Sequence, residues 1–326
     1  MTEHTYDILG IGNAIVDVVA RAEDTFLSRH DMHKGAMILI DAPTADLIYA
    51  AMPPGQESSG GSAANTCAVA AGLGARVAYI GKVADDQLGA AFRHDIKAVG
   101  VHFPTAALSG GAPTARCLIL VTPDGQRTMN TFLGACVTLG EDDVDAALVA
   151  ASAVTYLEGY LFDPPAAQAA FRKAATAAHA AGRRVALSLS DAFCVNRHRA
   201  AFLDLVANHV DILFANETEI TALYERNTFE EAAEAARKDV ALAALTRSEA
   251  GSLIIQGAET VTVAAEPTKV VDTTGAGDAY AAGFLAGLTS GKSLAVCGRM
   301  GSIAASEVIS HYGARPETDL RKLMPG

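Results

Sequence analysis

The chain has 326 residues, half of them apolar and 19% charged, enough to bury one large core and too apolar for a disordered chain. Asp and Glu (37) outnumber Lys and Arg (25), and the formal charge of −12 repels nucleic acid and anionic membranes, so an anionic substrate has to be held by backbone amides, a bound cation or one placed Arg. Five scattered cysteines, Cys67, Cys117, Cys136, Cys194 and Cys297, form no CxxC pair and argue against a disulfide framework or a zinc site.

In chain order, residues 14–40 read as consecutive strands joined by turns, while Pro53-Pro54-Gly55 and Ser58-Ser59-Gly60-Gly61 read as loops. The apolar run at 77–80 precedes a helix from Leu88. Residues 102–134 again read as strands without a full helix, turning at Thr122-Pro123-Asp124-Gly125. Beyond them short apolar runs alternate with helical stretches: strands at 154–157, 185–189, 212–214, 240–246 and 252–256, and helices at 166–181, 199–207, 217–224 and from Ala279. This rhythm predicts an α/β fold with a mostly parallel central sheet wrapped by helices, in one domain spanning 1–326. The two β-only insertions, about 14–40 and 102–134, are expected to pair into a small sheet forming a lid over the open end of the main sheet. The N-terminus has no basic and apolar leader, and no apolar run reaches the ~18 residues of a membrane span. A cytoplasmic protein that binds neither nucleic acid nor membrane is expected.

The most informative stretch is Val271-Asp272-Thr273-Thr274-Gly275-Ala276-Gly277-Asp278-Ala279-Tyr280. Gly275, Ala276 and Gly277 allow a tight turn with nothing to block a ligand, and the small residues after Asp278 start a helix. Free amides at such a helix start, aided by the dipole, suit charge developing on a transferred phosphoryl group. A carboxylate at the mouth can orient an incoming hydroxyl and take its proton. The plainer reading is that Asp278 complements the dipole of a buried helix, whose Gly283 and Gly287 allow close packing.

Asp272 to Asp278 resembles the C-terminal signature of the ribokinase-like (PfkB) family of sugar and nucleoside kinases. Ser59-Gly60-Gly61-Ser62-Ala63-Ala64-Asn65-Thr66 resembles its N-terminal Gly-Gly-x-x-x-Asn signature. The two stand about two hundred residues apart in the family's order. Asn216-Glu217-Thr218-Glu219 is similar to the family's Asn-x-x-Glu motif, which organises Mg²⁺ and phosphates largely through water; Asn216 followed by Glu219 is equally a capping box. Gly81 to Gly89 resembles a family turn, with Ala84 replacing a glycine. Leu9 to Asp17 is similar to the start of adenosine kinases, where an Asn and an Asp face the ribose; Asp17 alone also suits a strand end or another pentose kinase. Segments 211–219, 188–193 and 158–162 are similar to adenosine kinase segments as well. The likeness runs from about residue 8 to about residue 316.

The resemblance implies a three-layer α/β/α sandwich, ATP as donor and Mg²⁺ as cofactor. It implies a catalytic group of Asp278 as base with Gly275, Ala276 and Gly277 as anion hole. Asn13, Asp17, Gly61, Ser62, Asn65 and Phe193 would bind the acceptor, Asn216, Glu219 and Thr246 the nucleotide, and Glu219 the Mg²⁺ through water. Arg127 is a candidate lid clamp on the transferring phosphate; a solvated strand charge is the competing reading. Ile15, Met37 and Met129, with Tyr160, Leu161 or Phe162 and then Phe193, are candidates to enclose a purine. The expected activity is phosphorylation of the 5′-hydroxyl of adenosine. The alternatives are a ribokinase-type sugar kinase, an inosine or guanosine kinase, and a catalytically silent nucleoside-binding protein. A monomer or a lid-mediated homodimer is expected. Gly287 to Ser293 imitates a phosphate loop but has three residues between its glycines instead of four.

Overall fold

The computed structural model describes residues 4–325. The chain opens with β1 (Tyr6–Ile11), β2 (Ile15–Arg21), a short helix α1 (Asp24–Arg29), β3 (Met37–Leu39), α2 (Ala42–Ala51), β4 (Gln56–Gly60), α3 (Ser62–Gly72) and β5 (Val77–Ile80). It continues through α4 (Gln87–Ala98), β6 (Val101–His102), β7 (Ala115–Val121), β8 (Arg127–Phe132), α5 (Ala146–Ala150), β9 (Ser152–Glu158), α6 (Pro165–Ala180) and β10 (Arg184–Ser188). Next come α7 (Ala192–His209), β11 (Ile212–Asn216), α8 (Glu217–Tyr224), α9 (Phe229–Asp239) and β12 (Leu242–Thr246). The last elements are β13 (Ser252–Gln256), β14 (Glu259–Val263), α10 (Ala276–Thr289) and α11 (Leu294–Val308).

Among the described residues the main sheet has the order β14-β13-β12-β11-β10-β9-β1-β5-β6. It is parallel from β6 to β12 and antiparallel through β13 and β14. Its strands are apolar on both faces because both are covered. Ile8, Tyr156, Phe214 and Ala244 pack towards α3, α10 and α11, while their neighbours Leu9, Leu157, Leu213 and Leu245 pack towards the α5–α9 side. This is a three-layer α/β/α sandwich, as the resemblance implies. From β1 the chain goes to β5 on one side and later returns to β9 on the other. By the general rule for such sheets, a ligand crevice forms at this switch point, outside the C-terminal ends of β1 and β9.

The second sheet has the order β3-β8-β7-β2-β4. Segment 14–40 supplies β2 and β3, and 102–134 supplies β7 and β8; β6, at the start of the latter, pairs with β5 in the main sheet instead. Residues 58–60, read as loop, lie in β4: backbone pairing with β2 draws a polar, weakly β-forming stretch into a strand. Residues 14–40 also contain α1, six residues long and too short to leave a helical period. Side chains at alternate positions of β2 and β7, Val16, Val18, Leu118 and Leu120, join Leu27 and Ile48 in the core. The registers put Ile15, Asp17, Cys117, Met129 and Met37 on the opposite face. Helix α7 begins at Ala192, earlier than the apolar pattern predicts, because the Asp191 carboxylate accepts the amides of Phe193 and Cys194; a non-helical His198 interrupts its period. Among the described residues no helix is long and apolar enough to cross a membrane, and all five cysteines are free and buried.

Candidate functional site

Helix α10 starts at Ala276, three residues earlier than expected, because Gly275 takes the N-cap position with φ of +76°. That left-handed conformation suits glycine, and an added Cβ would stand 2.8 Å from Ala314. Asp278 is therefore inside the first turn, half-buried rather than sealed in the core. The amide of Ala276 donates to the Thr273 carbonyl at 3.2 Å, which removes it from the expected anion hole. Gly277 is exposed and a Cβ there would meet no protein atom, so the space beside this first-turn residue is open. Ser62 Oγ donates to Asp278 Oδ1 at 2.5 Å. Burial pushes the Asp278 carboxyl up to about 6, with Ser62 and Asn65 working against the rise and Asp17 adding to it.

Ser62 and Asn65 sit in α3, which is capped by Gly61 at φ of +97°. A Cβ on Gly61 would overlap the Asn13 carbonyl, and one on Gly60 would overlap the Asp17 carboxylate, so both glycines are close-packing requirements. Asp17 is also pushed up to about 6 by burial, against the pull of Arg315 and Arg127. Two groups that the sequence did not single out for the site hold this wall. Arg315 reaches Asn65 Oδ1 (3.3 Å), Asp95 Oδ2 (3.2 Å) and Ser59 Oγ (2.7 Å), bringing a cation to the Asp17 side. Glu158, only 1% exposed, accepts the Asn13 amide at 3.2 Å, Asn13 Nδ2 at 2.7 Å and the Ala63 amide at 2.7 Å. Burial pushes its carboxyl up to about 7. A charged residue closing an apolar parallel strand was the available signal for Glu158; nothing around Arg315, in a Gly- and Pro-flanked stretch, marked it.

On the far side of the crevice Asn216 and Thr246 are register partners at the ends of β11 and β12. The capping box is real: Glu219 Oε2 accepts the Asn216 amide (2.9 Å), Oε1 accepts Asn216 Nδ2 (2.6 Å), and Asn216 Oδ1 accepts the Glu219 amide (2.9 Å). Burial, with Asp191 and Asp278 nearby, pushes the Glu219 carboxyl up to about 7. The lid residue Arg127 is neither solvated nor free. It forms an ion pair with Asp272, which also accepts Thr274 Oγ1 (2.7 Å) and the Gly313 amide (3.1 Å). Leu161 and Phe162 are wholly buried in the core, where Phe162 stacks on Phe202 with centroids 4.3 Å apart, so neither reaches the crevice. Tyr160, after β9, and Phe193, after β10, are exposed, the latter by 77%.

Asp17, Asn65, Ser62 and Asp278 thus come from one strand of the small sheet and two helix starts, with a glycine-opened turn beside a half-buried carboxylate. The profile of the pfkB family carbohydrate kinases matches residues 49–320. The chain belongs to this family. It is a kinase, and such kinases take ATP as phosphoryl donor and a nucleoside or sugar as acceptor. The crystal structure of adenosine kinase from Sinorhizobium meliloti is 56% identical, with 98% of each chain covered and a TM-score of 0.89. That of a probable sugar kinase from Rhizobium etli is 51% identical, with the same coverage and a TM-score of 0.90. The adenosine kinase of Saccharomyces cerevisiae is 29% identical over 95% of this chain and 96% of its own.

Proposed function

We propose that the protein transfers the γ-phosphoryl group of ATP to the 5′-hydroxyl of adenosine. The observation that carries this reading is the apolar side of the acceptor crevice. Ile15, Met37 and Met129 share a sheet face with Asp17, and Tyr160 and Phe193 stand exposed at the ends of the adjacent strands β9 and β10. A purine has apolar faces to bury there, whereas a free sugar would set hydroxyls against them. Asp17 would accept the ribose diol with Asn13, Gly61 and Asn65 around it. Asp278, held by Ser62, would orient the 5′-hydroxyl and accept its proton as the bond to phosphorus forms. The Gly275–Gly277 turn, chiefly the first-turn amide of exposed Gly277, would receive the migrating group. Arg127 would leave Asp272 for the phosphate as the small sheet closes and excludes water.

Asp17, Glu219 and Asp278 put negative charge beside the proposed phosphoryl path, which repels a nucleotide polyanion unless a cation such as Mg²⁺, held largely through water, intervenes. Among the described residues no group of three or more His, Cys, Asp or Glu side chains could hold a metal ion. Asn216 and Glu219 would act through water, since both Glu219 oxygens are engaged in the cap. Bound Mg²⁺ would neutralise phosphate charge. The free buried thiols suit a reducing cytoplasm. The test is ADP release from Mg-ATP with adenosine, inosine, guanosine and ribose in turn. Turnover with adenosine is expected. Turnover with ribose alone would replace this reading with the sugar kinase that the Rhizobium etli relative suggests, and none with any acceptor would leave a nucleoside-binding protein.

A further inference from the structure

Asn13 is 3% exposed, and its Oδ1 is buried without a hydrogen-bond partner. Its Nδ2 is committed to Glu158 Oε1 at 2.7 Å. A side-chain amide has one donor end and one acceptor end, and a carboxylate only accepts, so Glu158 forces the NH₂ end of Asn13 towards itself. The carbonyl end is left over. An unpaired buried acceptor is unfavourable unless something arrives to donate to it. Nothing else near the joint can swap the polarity: Glu158 Oε1 also takes the Asn13 backbone amide, and Oε2 takes the amide of Ala63 in the first turn of α3. Gly12 has no room for a Cβ against Glu158 and Ala63, so the whole joint between β1, β9 and α3 is closely packed. The chain crosses from the main sheet to the small one at residues 12–14, and returns at residues 61–62; Glu158 binds beside both crossings.

We infer that Glu158 is a positioning residue that fixes Asn13 with its carbonyl, not its amide nitrogen, offered to the acceptor substrate. The substrate must then present an O–H or N–H donor at this point. This rests on the reading of Asn13 as part of the acceptor wall. Glu158 itself is spent on three protein donors and need not touch the substrate.

The test is Glu158→Gln, which keeps size but brings a donor of its own. With the oxygen of the substituted side chain retained by the Ala63 amide, its NH₂ faces Asn13, and Asn13 turns its carbonyl inwards to meet it. Initial rates would be measured for the full chain, E158Q, Asn13→Ala and the double variant. E158Q should raise acceptor KM tenfold or more, with kcat within threefold and KM for Mg-ATP unchanged. In the Asn13→Ala background E158Q should add less than twofold. Glu158→Asp, which keeps the charge but draws it back by one methylene, should raise acceptor KM less and in the same direction. An acceptor KM within twofold of the parent in both Glu158 variants, or effects at the two positions that multiply, overturns the inference. If the parent turns over neither adenosine nor ribose, the proposed function has failed on its own. The coupling is then read from unfolding midpoints of the four proteins, where additive shifts overturn it and non-additive shifts sustain it.

Discussion

Replacing Asp278 with Asn separates the catalytic from the structural consequence of one half-buried carboxylate. Asparagine keeps the shape and can still accept from Ser62 Oγ, but it cannot take a proton, so turnover with adenosine should fall by ~10²-fold or more while nucleoside affinity is kept. Stability should move the other way. The carboxyl rises from 3.8 to about 6 on folding, which corresponds to about 3 kcal/mol between its charged and neutral forms. Screening on its open side reduces this to about 2 kcal/mol. For 326 residues unfolding carries an entropy of ~0.7 kcal/mol/K, so the midpoint should rise by about 3 °C. Because the folded value lies above the unfolded one, the folded state holds the proton more tightly. The stabilising contribution is full below pH 3.8 and is lost as pH rises through about 6. The gain in Asp278→Asn should therefore be complete at pH 7.5 and fade towards pH 4. Coupled ADP release and thermal unfolding at the two pH values check both halves. An unaltered kcat refutes the base assignment, and a midpoint lowered at pH 7.5 refutes the burial argument.

Other outcomes follow from neighbouring groups. Gly277→Ala should leave the unfolding midpoint unchanged or slightly higher, since its Cβ meets no protein atom, yet reduce turnover by crowding the phosphoryl path; Gly275→Ala should lower the midpoint, the left-handed backbone alone contributing about 1–2 kcal/mol. Arg315→Gln removes a cation that holds Asp17 down, so Asp17 protonates more readily and kcat/KM for adenosine should drop further at pH 6 than at pH 8, measured against the parent profile. Phe193→Ala should raise KM for adenosine about tenfold while the midpoint stays put, because the ring is largely exposed and packs little of the core. An unchanged KM for adenosine would remove Phe193 from the base slot.

The family was legible because its chemistry is local. Gly275 to Asp278 sets its own turn and cap within four residues, and Gly60 to Asn65 does the same at α3, so short stretches carry both the backbone geometry and the signature side chains. The helix and strand alternation was legible for a similar reason: β13 (Ser252–Gln256) and α8 (Glu217–Tyr224) are bounded as their apolar periods and caps predict. Choosing between a purine and a sugar was less legible. Met37, Met129 and Phe193 lie far apart in the chain, and Leu161 and Phe162 read as equally good candidates until packing against Phe202 buried Phe162 and the same core enclosed Leu161.

Local sequence was enough to set the parallel α/β plan, the two glycine-opened helix starts and the carboxylate of Asp278 in the first turn of α10, because each depends on neighbours a few residues away. Only the folded chain shows that a polar stretch becomes β4, that Ala276 spends its amide on Thr273, and that Arg127 meets Asp272 across 145 residues. Folding also sets Glu158 against Asn13 and Arg315 against Asn65. Backbone pairing, burial and ion pairing between distant segments depend on where the chain returns in space, and no local pattern records that.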